Sequence, residues 1–180
     1  ETCRQEMQRL VFWSCMLAGA AGHTYGANGI WQFNTREKPY GPSPHGMAWG
    51  NVPWEDAYQL PGSTQVGLGK RMLERFEWHR FEPHSEWIEP HWNNENYFAP
   101  FAAGIPGKTR VIYFPPGWWG TGVVKGVEKG VNYRAYLLNP INAEEIEVGA
   151  VTPDANGEWE IPMGTPPWKL FPVFQDWVLV

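Results

Sequence analysis

The first half of the chain opens with apolar residues at helical spacing. The pattern predicts a helix over residues 2–20, where Thr2 and Gln5 fit a capping box and the small residues 20–22 end the stripe. Residues 23–33, HTYGANGIWQF, have a strand-like composition interrupted by glycines. A helix followed by a short glycine turn and a strand is the αβ half of an α/β repeat.

The rest of the first half alternates between loops and helical patterns. The sequence predicts, in order, a proline-rich loop at 34–53, a helical turn at 54–60 closed by Pro61-Gly62, a helix at about 63–80 capped by Ser63 or Thr64, and a connector at 81–96.

From about residue 97 the apolar pattern changes to a period of two, which is typical of strands. Residues 111–114 are apolar on both faces, as in a central buried strand. Further strands are predicted at 133–138, around Ile146 and Val148, at 158–161 and at 176–180. Short strands separated by Pro, Gly and Asn turns, including a turn at 154–157, favour an antiparallel β-sandwich.

The first 90 residues supply too few strands to close a sheet on their own. Helix, strand, long loop and helix in that order suit the end of a (β/α)₈ barrel, which needs about 200–250 residues. We therefore expect an α/β segment at residues 1–90, the terminal fragment of such a barrel, followed by an all-β sandwich at 97–180. The sequence has no signal peptide and no initiator Met, so we also expect that its true beginning is missing.

Composition excludes several functional classes. With 14 Lys and Arg against 19 Asp and Glu, the net charge is −5, which argues against nucleic-acid binding and against anionic membranes. The sequence contains no run of about 18 apolar residues, so no membrane-spanning helix is predicted. Aromatic residues make up 16% of the chain, more than a small core needs, and stacking on sugar rings is a common use for such a surplus.

The two cysteines, Cys3 and Cys15, both fall within the first predicted helix. Twelve residues of helix rise about 18 Å, whereas the Cα atoms of a disulfide lie within about 7 Å. We expect two free thiols that pack as small apolar side chains.

Several segments resemble the apiosidase-like glycoside hydrolases, bacterial (β/α)₈-barrel enzymes of plant-polysaccharide breakdown. RLVFWSCMLAGAAGHTYGANGIWQF (9–33) resembles helix 7, strand 8 and the following loop of that barrel, and residues 53–83 resemble its last loop and helix. VIYFPPG, YRAYLLNPINAEEIEVG and QDWVLV in the second half resemble the C-terminal β-domain of these enzymes, which is of the collagen-binding type.

The resemblance implies a secreted or periplasmic enzyme with a carbohydrate substrate and no cofactor. The family cleaves glycosidic bonds with two carboxylic residues on barrel strands 4 and 7. We expect that pair upstream of Glu1, in the missing part of the same barrel, so the chain by itself should be inactive. Hydrolysis needs both carboxyl groups, and residues 23–33 contain neither Asp nor Glu.

Substrate-binding candidates lie where a barrel strand would end, because that edge faces the substrate. The candidates are Tyr25, Asn28, Trp31, Gln32 and His23. Trp31 would stack on a sugar, and the two amides would hydrogen-bond its hydroxyl groups. Simple core packing is the alternative for the aromatic residues and for His23.

Other motifs favour structural roles. Tyr40, His45, Trp49 and Trp54 could form a rim of the site or pack on the surface. The repeated EPH motif (82–84 and 89–91) matches no metal-site spacing, so we predict no metal. Trp118-Trp119 could bind a glycan or dock the sandwich on the barrel. The β-domain could therefore be a carbohydrate- or collagen-binding module, or a purely structural brace.

Overall fold

The computed structural model describes residues 4–38, 52–117, 122–162 and 175–180. Three α-helices within these ranges are α1 (Gln5–Leu17), α2 (Trp54–Ala57) and α3 (Pro61–Leu73). The strands are β1 (Glu82–Pro83), β2 (Ile88–Glu89), β3 (Phe101–Ile105), β4 (Thr109–Phe114), β5 (Val123–Val124), β6 (Arg134–Leu138), β7 (Glu145–Ala150), β8 (Trp159–Glu160) and β9 (Trp177–Leu179).

Helix α1 confirms the first helical pattern but ends earlier than predicted. Gly19 adopts a φ of 92°, which only glycine takes without strain, directly after the C-cap residue Ala18. The N–H of Gly19 then bonds Met16 O (3.3 Å), and the N–H of Ala20 bonds Cys15 O (3.0 Å). This Schellman pattern satisfies the last carbonyl groups of the helix and stops it at Leu17. The predicted cap, Thr2, lies outside the described residues.

Helix α3 is shorter than the predicted helix at 63–80 and begins before it. Pro61 occupies the first turn, where a missing N–H costs nothing, so neither Ser63 nor Thr64 caps the helix and Pro61-Gly62 does not close the preceding turn. The helix ends at Leu73, and Trp78–Arg80 form a separate 3₁₀ turn.

The predicted strand at 23–33 is wrong. Residues 22–27 have no regular secondary structure and no strand partner in the described part of the chain, and 28–33 form turns. The N–H groups of Ile30 and Trp31 bond Ala27 O at 3.2 and 3.3 Å, and Asn34 N bonds Gly29 O at 2.8 Å. A lone segment has no ladder to join, so its backbone groups pair locally instead.

The strands form two antiparallel sheets. The larger has the order β1-β3-β4-β9-β6-β7, and the smaller has the order β2-β5-β8. The last strand, β9, lies in the middle of the larger sheet, between β4 and β6. The connector at 81–96 supplies an edge strand to each sheet, since Glu82 faces Gly104 and Ile88 faces Val124.

Strand β4 confirms the prediction of a strand buried on both faces. Ile112 and Phe114 belong to an inner core shared by the two sheets, whereas Val111 and Tyr113 pack against α1 and α3. Period-two burial therefore places one side of β4 in each of two apolar layers.

The predicted strands at 133–138, around 146–148, at 158–161 and at 176–180 correspond to β6, β7, β8 and β9. The pattern does not predict β3, whose sequence FAAGI lacks alternation because Ala102, Ala103 and Gly104 are all buried.

The described residues combine helices with antiparallel sheets and contain no closed barrel. Their assignment to a barrel fragment and a sandwich, divided at 90–97, stays a prediction.

None of the helices in the described ranges is both long and apolar enough to cross a bilayer. Cys15 is a free thiol as predicted, but it is exposed, so the prediction that it packs as an apolar side chain is wrong; Cys3 lies outside the described residues.

Candidate functional site

The predicted substrate-binding residues lie on the turn at 27–34 and on the irregular segment before it. Gly29 fixes this turn, because its φ is 93° and a Cβ would collide with the carbonyl oxygen of Val52. Asn34 completes the attachment: its carbonyl accepts the Trp54 N–H at 2.7 Å, and its side-chain amide donates to Val52 O at 3.1 Å. The turn and the start of α2 therefore form one fixed unit.

Gln32 is held by the turn while one of its donors stays unused. Its Oε1 accepts the N–H of Gly29 at 2.9 Å. Its Nε2 is buried and has no hydrogen-bond partner within the described ranges. A buried amide donor without a partner is uncommon, because its desolvation costs about 1–3 kcal/mol. Gln32 therefore holds the turn through Oε1, while the hydrogen-bonding capacity of its Nε2 is unmet within the described residues.

Tyr25 and His23 pack towards the helices. The Tyr25 hydroxyl points to Ala57 O at 3.5 Å, and burial raises the pKa of this phenol. The His23 ring meets the Phe12 ring edge-on, with centroids 5.5 Å apart, and its Nε2 has no described partner. Asn28 is half-buried at the start of the turn.

Trp31 lies at the surface of the turn and is 63% exposed. Two further exposed aromatic residues adjoin the same unit but escaped the sequence analysis, Phe33 and Tyr58. The Phe33 and Trp54 rings are stacked with centroids 6.0 Å apart and an interplanar angle of 6°. Trp54 and Tyr58 are 5.9 Å apart at 33°. The i, i+4 spacing of Trp54 and Tyr58 could have revealed their shared face.

Charged groups border these rings. Arg36 forms an exposed ion pair with Asp56, and this hydrogen bond raises the pKa of the Arg36 guanidinium. Glu55 carries a buried Oε2 without a described partner. The unit thus combines flat apolar surfaces with hydrogen-bonding groups, a composition common in small-molecule sites.

The remaining sequence candidates are structural or lie outside the described residues. Tyr40, His45, Trp49, Trp118 and Trp119 fall in the undescribed ranges. No cluster of three potential metal ligands occurs in the part of the chain that the structure describes. The EPH motifs instead place His84 against Trp87, with the rings stacked at 3.9 Å, and His91 beside Glu89 at 3.5 Å. Residues 154–157 form a plain turn, closed by Gly157 N to Asp154 O at 3.1 Å.

Two comparisons with known proteins gave matches. The sequence profile named "Apiosidase-like, catalytic domain" matches residues 1–80. The first 80 of the 180 residues are therefore similar to the apiosidase-like catalytic domain. All five predicted substrate-binding residues, and the rings of Phe33, Trp54 and Tyr58, lie within this apiosidase-like segment.

Solved structures with a similar fold were also found. A structure described as a glycoside hydrolase matches with a TM-score of 0.71 at 23% identity. A family 5 glycoside hydrolase from Bacteroides vulgatus ATCC 8482 matches with a TM-score of 0.71 at 21% identity. Each match covers 98% of this chain but only 36% of the other, so the chain spans about a third of these structures. A search of curated proteins gave no match.

Proposed function

We propose that this chain is part of a glycoside hydrolase that acts on a plant-type polysaccharide, and that the turn at 27–34 forms part of its substrate-site wall. The observation that carries the proposal is the position of this turn. It lies within the apiosidase-like segment, is fixed by Gly29 and Asn34, and presents an exposed indole.

Each candidate has a role that its surroundings support. Trp31 offers an apolar face to the C–H groups of a sugar ring. Gln32 Nε2 supplies the unused donor, and Asn28 a second amide on the same turn. Tyr25 and His23 support the turn from the side of the helices.

In this proposal, the catalytic carboxyl pair is supplied by a part of the enzyme other than these 180 residues. Hydrolysis needs an acid and a nucleophile or base about 5–10 Å apart. Helix α2 carries two carboxylates, and one of them, Asp56, forms an ion pair with Arg36. The matched glycoside hydrolases are about three times as long as this chain, which leaves room for the pair elsewhere.

The test is retardation of the chain in native gels that contain pectin, xylan or galactomannan. We expect at least one polysaccharide to retard the wild-type chain, and Trp31→Ala and Gln32→Ala to weaken the effect. We also expect no hydrolysis of aryl glycosides by the chain alone. Absence of retardation by every polysaccharide contradicts the substrate-wall proposal, and hydrolysis contradicts the placement of the catalytic pair.

A structural brace is the second candidate function for the β-region, and a specific contact favours it over a free binding module. Arg9 of α1 is buried against Asp176, next to β9, and also donates to Gln65 of α3 at 2.5 Å. The outer face of the larger sheet is therefore occupied by the apiosidase-like helices. Native-state hydrogen exchange on the intact chain tests this: α1 and β4 amides should open with the same free energy, and much earlier opening of α1 would favour an independent module.

A further inference from the structure

We infer that Phe33, Trp54 and Tyr58 form a stacking platform for a sugar unit beside the substrate-site wall. This inference rests on the proposed function and deepens it by assigning a second contact region to the same substrate. The three side chains are 62%, 36% and 51% exposed, and we call them the aromatic platform.

The platform is a row of three neighbouring rings. Phe33 and Trp54 are stacked and parallel to within 6°, and Tyr58 is tilted by 33° to Trp54 with its centroid 5.9 Å away. Aromatic faces bind apolar surfaces that are themselves flat, and one face of a sugar ring carries mainly C–H groups.

The backbone of Phe33 is strained, and packing alone does not explain this strain. Its φ is 52°, in the left-handed region that a bulky residue rarely adopts. Glycine or asparagine would fit this turn position with less strain. Strain of this kind collects at functional sites, where the side chain is needed in that place.

The surroundings favour a sugar over a protein partner. The exposed ion pair of Arg36 with Asp56 lies on the segments that carry the rings and offers polar groups to sugar hydroxyls. The centres of protein interfaces are depleted in charged residues. A stable interface also buries about 800 Å² on each partner, far more than three partly exposed side chains provide.

The decisive variant is Phe33→Asn combined with Tyr58→Ala, measured in the same polysaccharide gels. Asparagine accepts the left-handed backbone and alanine accepts the helical backbone at Tyr58, so Tm should stay within about 3 °C of the wild type. The apparent Kd for the retarding polysaccharide should rise at least about tenfold, the loss expected for two stacking rings.

The matched control is Tyr97→Ala combined with Phe98→Ala. These side chains are 63% and 62% exposed but lie outside the platform, so this variant should bind as the wild type does. Equal losses in both double variants would overturn the inference, as would wild-type binding by the platform variant.

The outcomes separate the two proposals. If Trp31→Ala weakens retardation and the platform variant does not, the substrate-site wall is supported and the aromatic platform is contradicted. If no polysaccharide retards the wild-type chain, both the substrate-site wall and the aromatic platform are contradicted. Sedimentation velocity adds a third readout: a wild-type dimer that the platform variant converts to monomer would identify the rings as a protein interface and overturn the inference.

Discussion

The guanidinium of Arg9 and the carboxylate of Asp176, 167 positions apart in sequence, form a bidentate ion pair in the layer between the helices and the larger sheet. Nη2 lies 2.7 Å from Oδ1 and Nε lies 2.9 Å from Oδ2, and the side chains are only 2% and 0% exposed. Tyr113 donates a further hydrogen bond to Asp176 at 3.1 Å. Burial, and then the neighbouring carboxylate, raise the pKa of Tyr113 well above its usual range, so the phenol stays a donor.

Replacing only one partner of this ion pair should lower the stability of the fold. Asp176→Asn and Arg9→Met each leave a buried charged group without its partner, so we expect either to lower the free energy of unfolding by about 3–5 kcal/mol. Urea denaturation measures this, with Arg36→Met at the exposed Arg36–Asp56 pair as the control, for which we expect little change. A loss no larger than that of the control would show that the pair is not buried in solution.

Helices α1 and α3 approach closely at Gly69. A Cβ there would lie 3.0 Å from Cδ1 of Phe12 and closer still to Cε1, in a buried ring that cannot move freely. We expect Gly69→Ala to destabilise the chain by about 1–3 kcal/mol in thermal or urea unfolding.

The same helix provides the control for this variant. A Cβ at Gly67 meets only Arg71 Nη1, at 3.7 Å, so Gly67→Ala should be neutral or stabilise by up to about 1 kcal/mol through helix propensity. Equal effects of the two variants would contradict the packing of α1 on α3.

Gly29 should be required for the proposed substrate-site wall. Gly29→Ala introduces a side chain at a φ of 93° and against Val52, so the turn at 27–34 must shift away from α2. We expect weaker retardation by the binding polysaccharide and a stability loss of about 1–3 kcal/mol. Gly26→Ala, with open space around its Cβ, is the control and should leave both measurements unchanged.

The carboxylate of Glu128 should make stability depend on pH. Partial burial favours its neutral form, but hydrogen bonds from its own backbone, Gly107 and Tyr133, together with the charge of Arg110, outweigh that effect and lower the pKa of Glu128. Because the folded-state pKa lies below the unfolded one, the stabilisation is present above the unfolded pKa and is lost as pH falls through the folded pKa.

Urea unfolding at pH 7 and at about pH 3.5 tests this dependence. Glu128→Gln should lower stability at pH 7 more than at acidic pH, which flattens the pH profile relative to the wild type. The exposed residue Glu95 provides the comparison, and Glu95→Gln should leave the profile unchanged. An unaltered profile in Glu128→Gln would mean that its contacts do not favour the ionised form.

The sequence pattern was most informative where local periodicity and burial coincide. The helical stripe of α1 and the two-sided apolar run of β4 both predict the correct element, because each buries a face with its own period. It failed at 23–33, where a strand-like composition has no partner strand in the described structure. It also missed Phe33, because an aromatic residue at a positive φ has no signature in composition or spacing.

The amino-acid order by itself therefore determined the helix and strand periods, the turn at 154–157 and the resemblance of residues 1–80 to an enzyme family. Tertiary structure alone decided that Arg9 meets Asp176, that β9 enters the middle of the larger sheet, and that Phe33, Trp54 and Tyr58 share one surface. The physical reason is range: local patterns act over a few residues, whereas these contacts depend on how distant segments pack together.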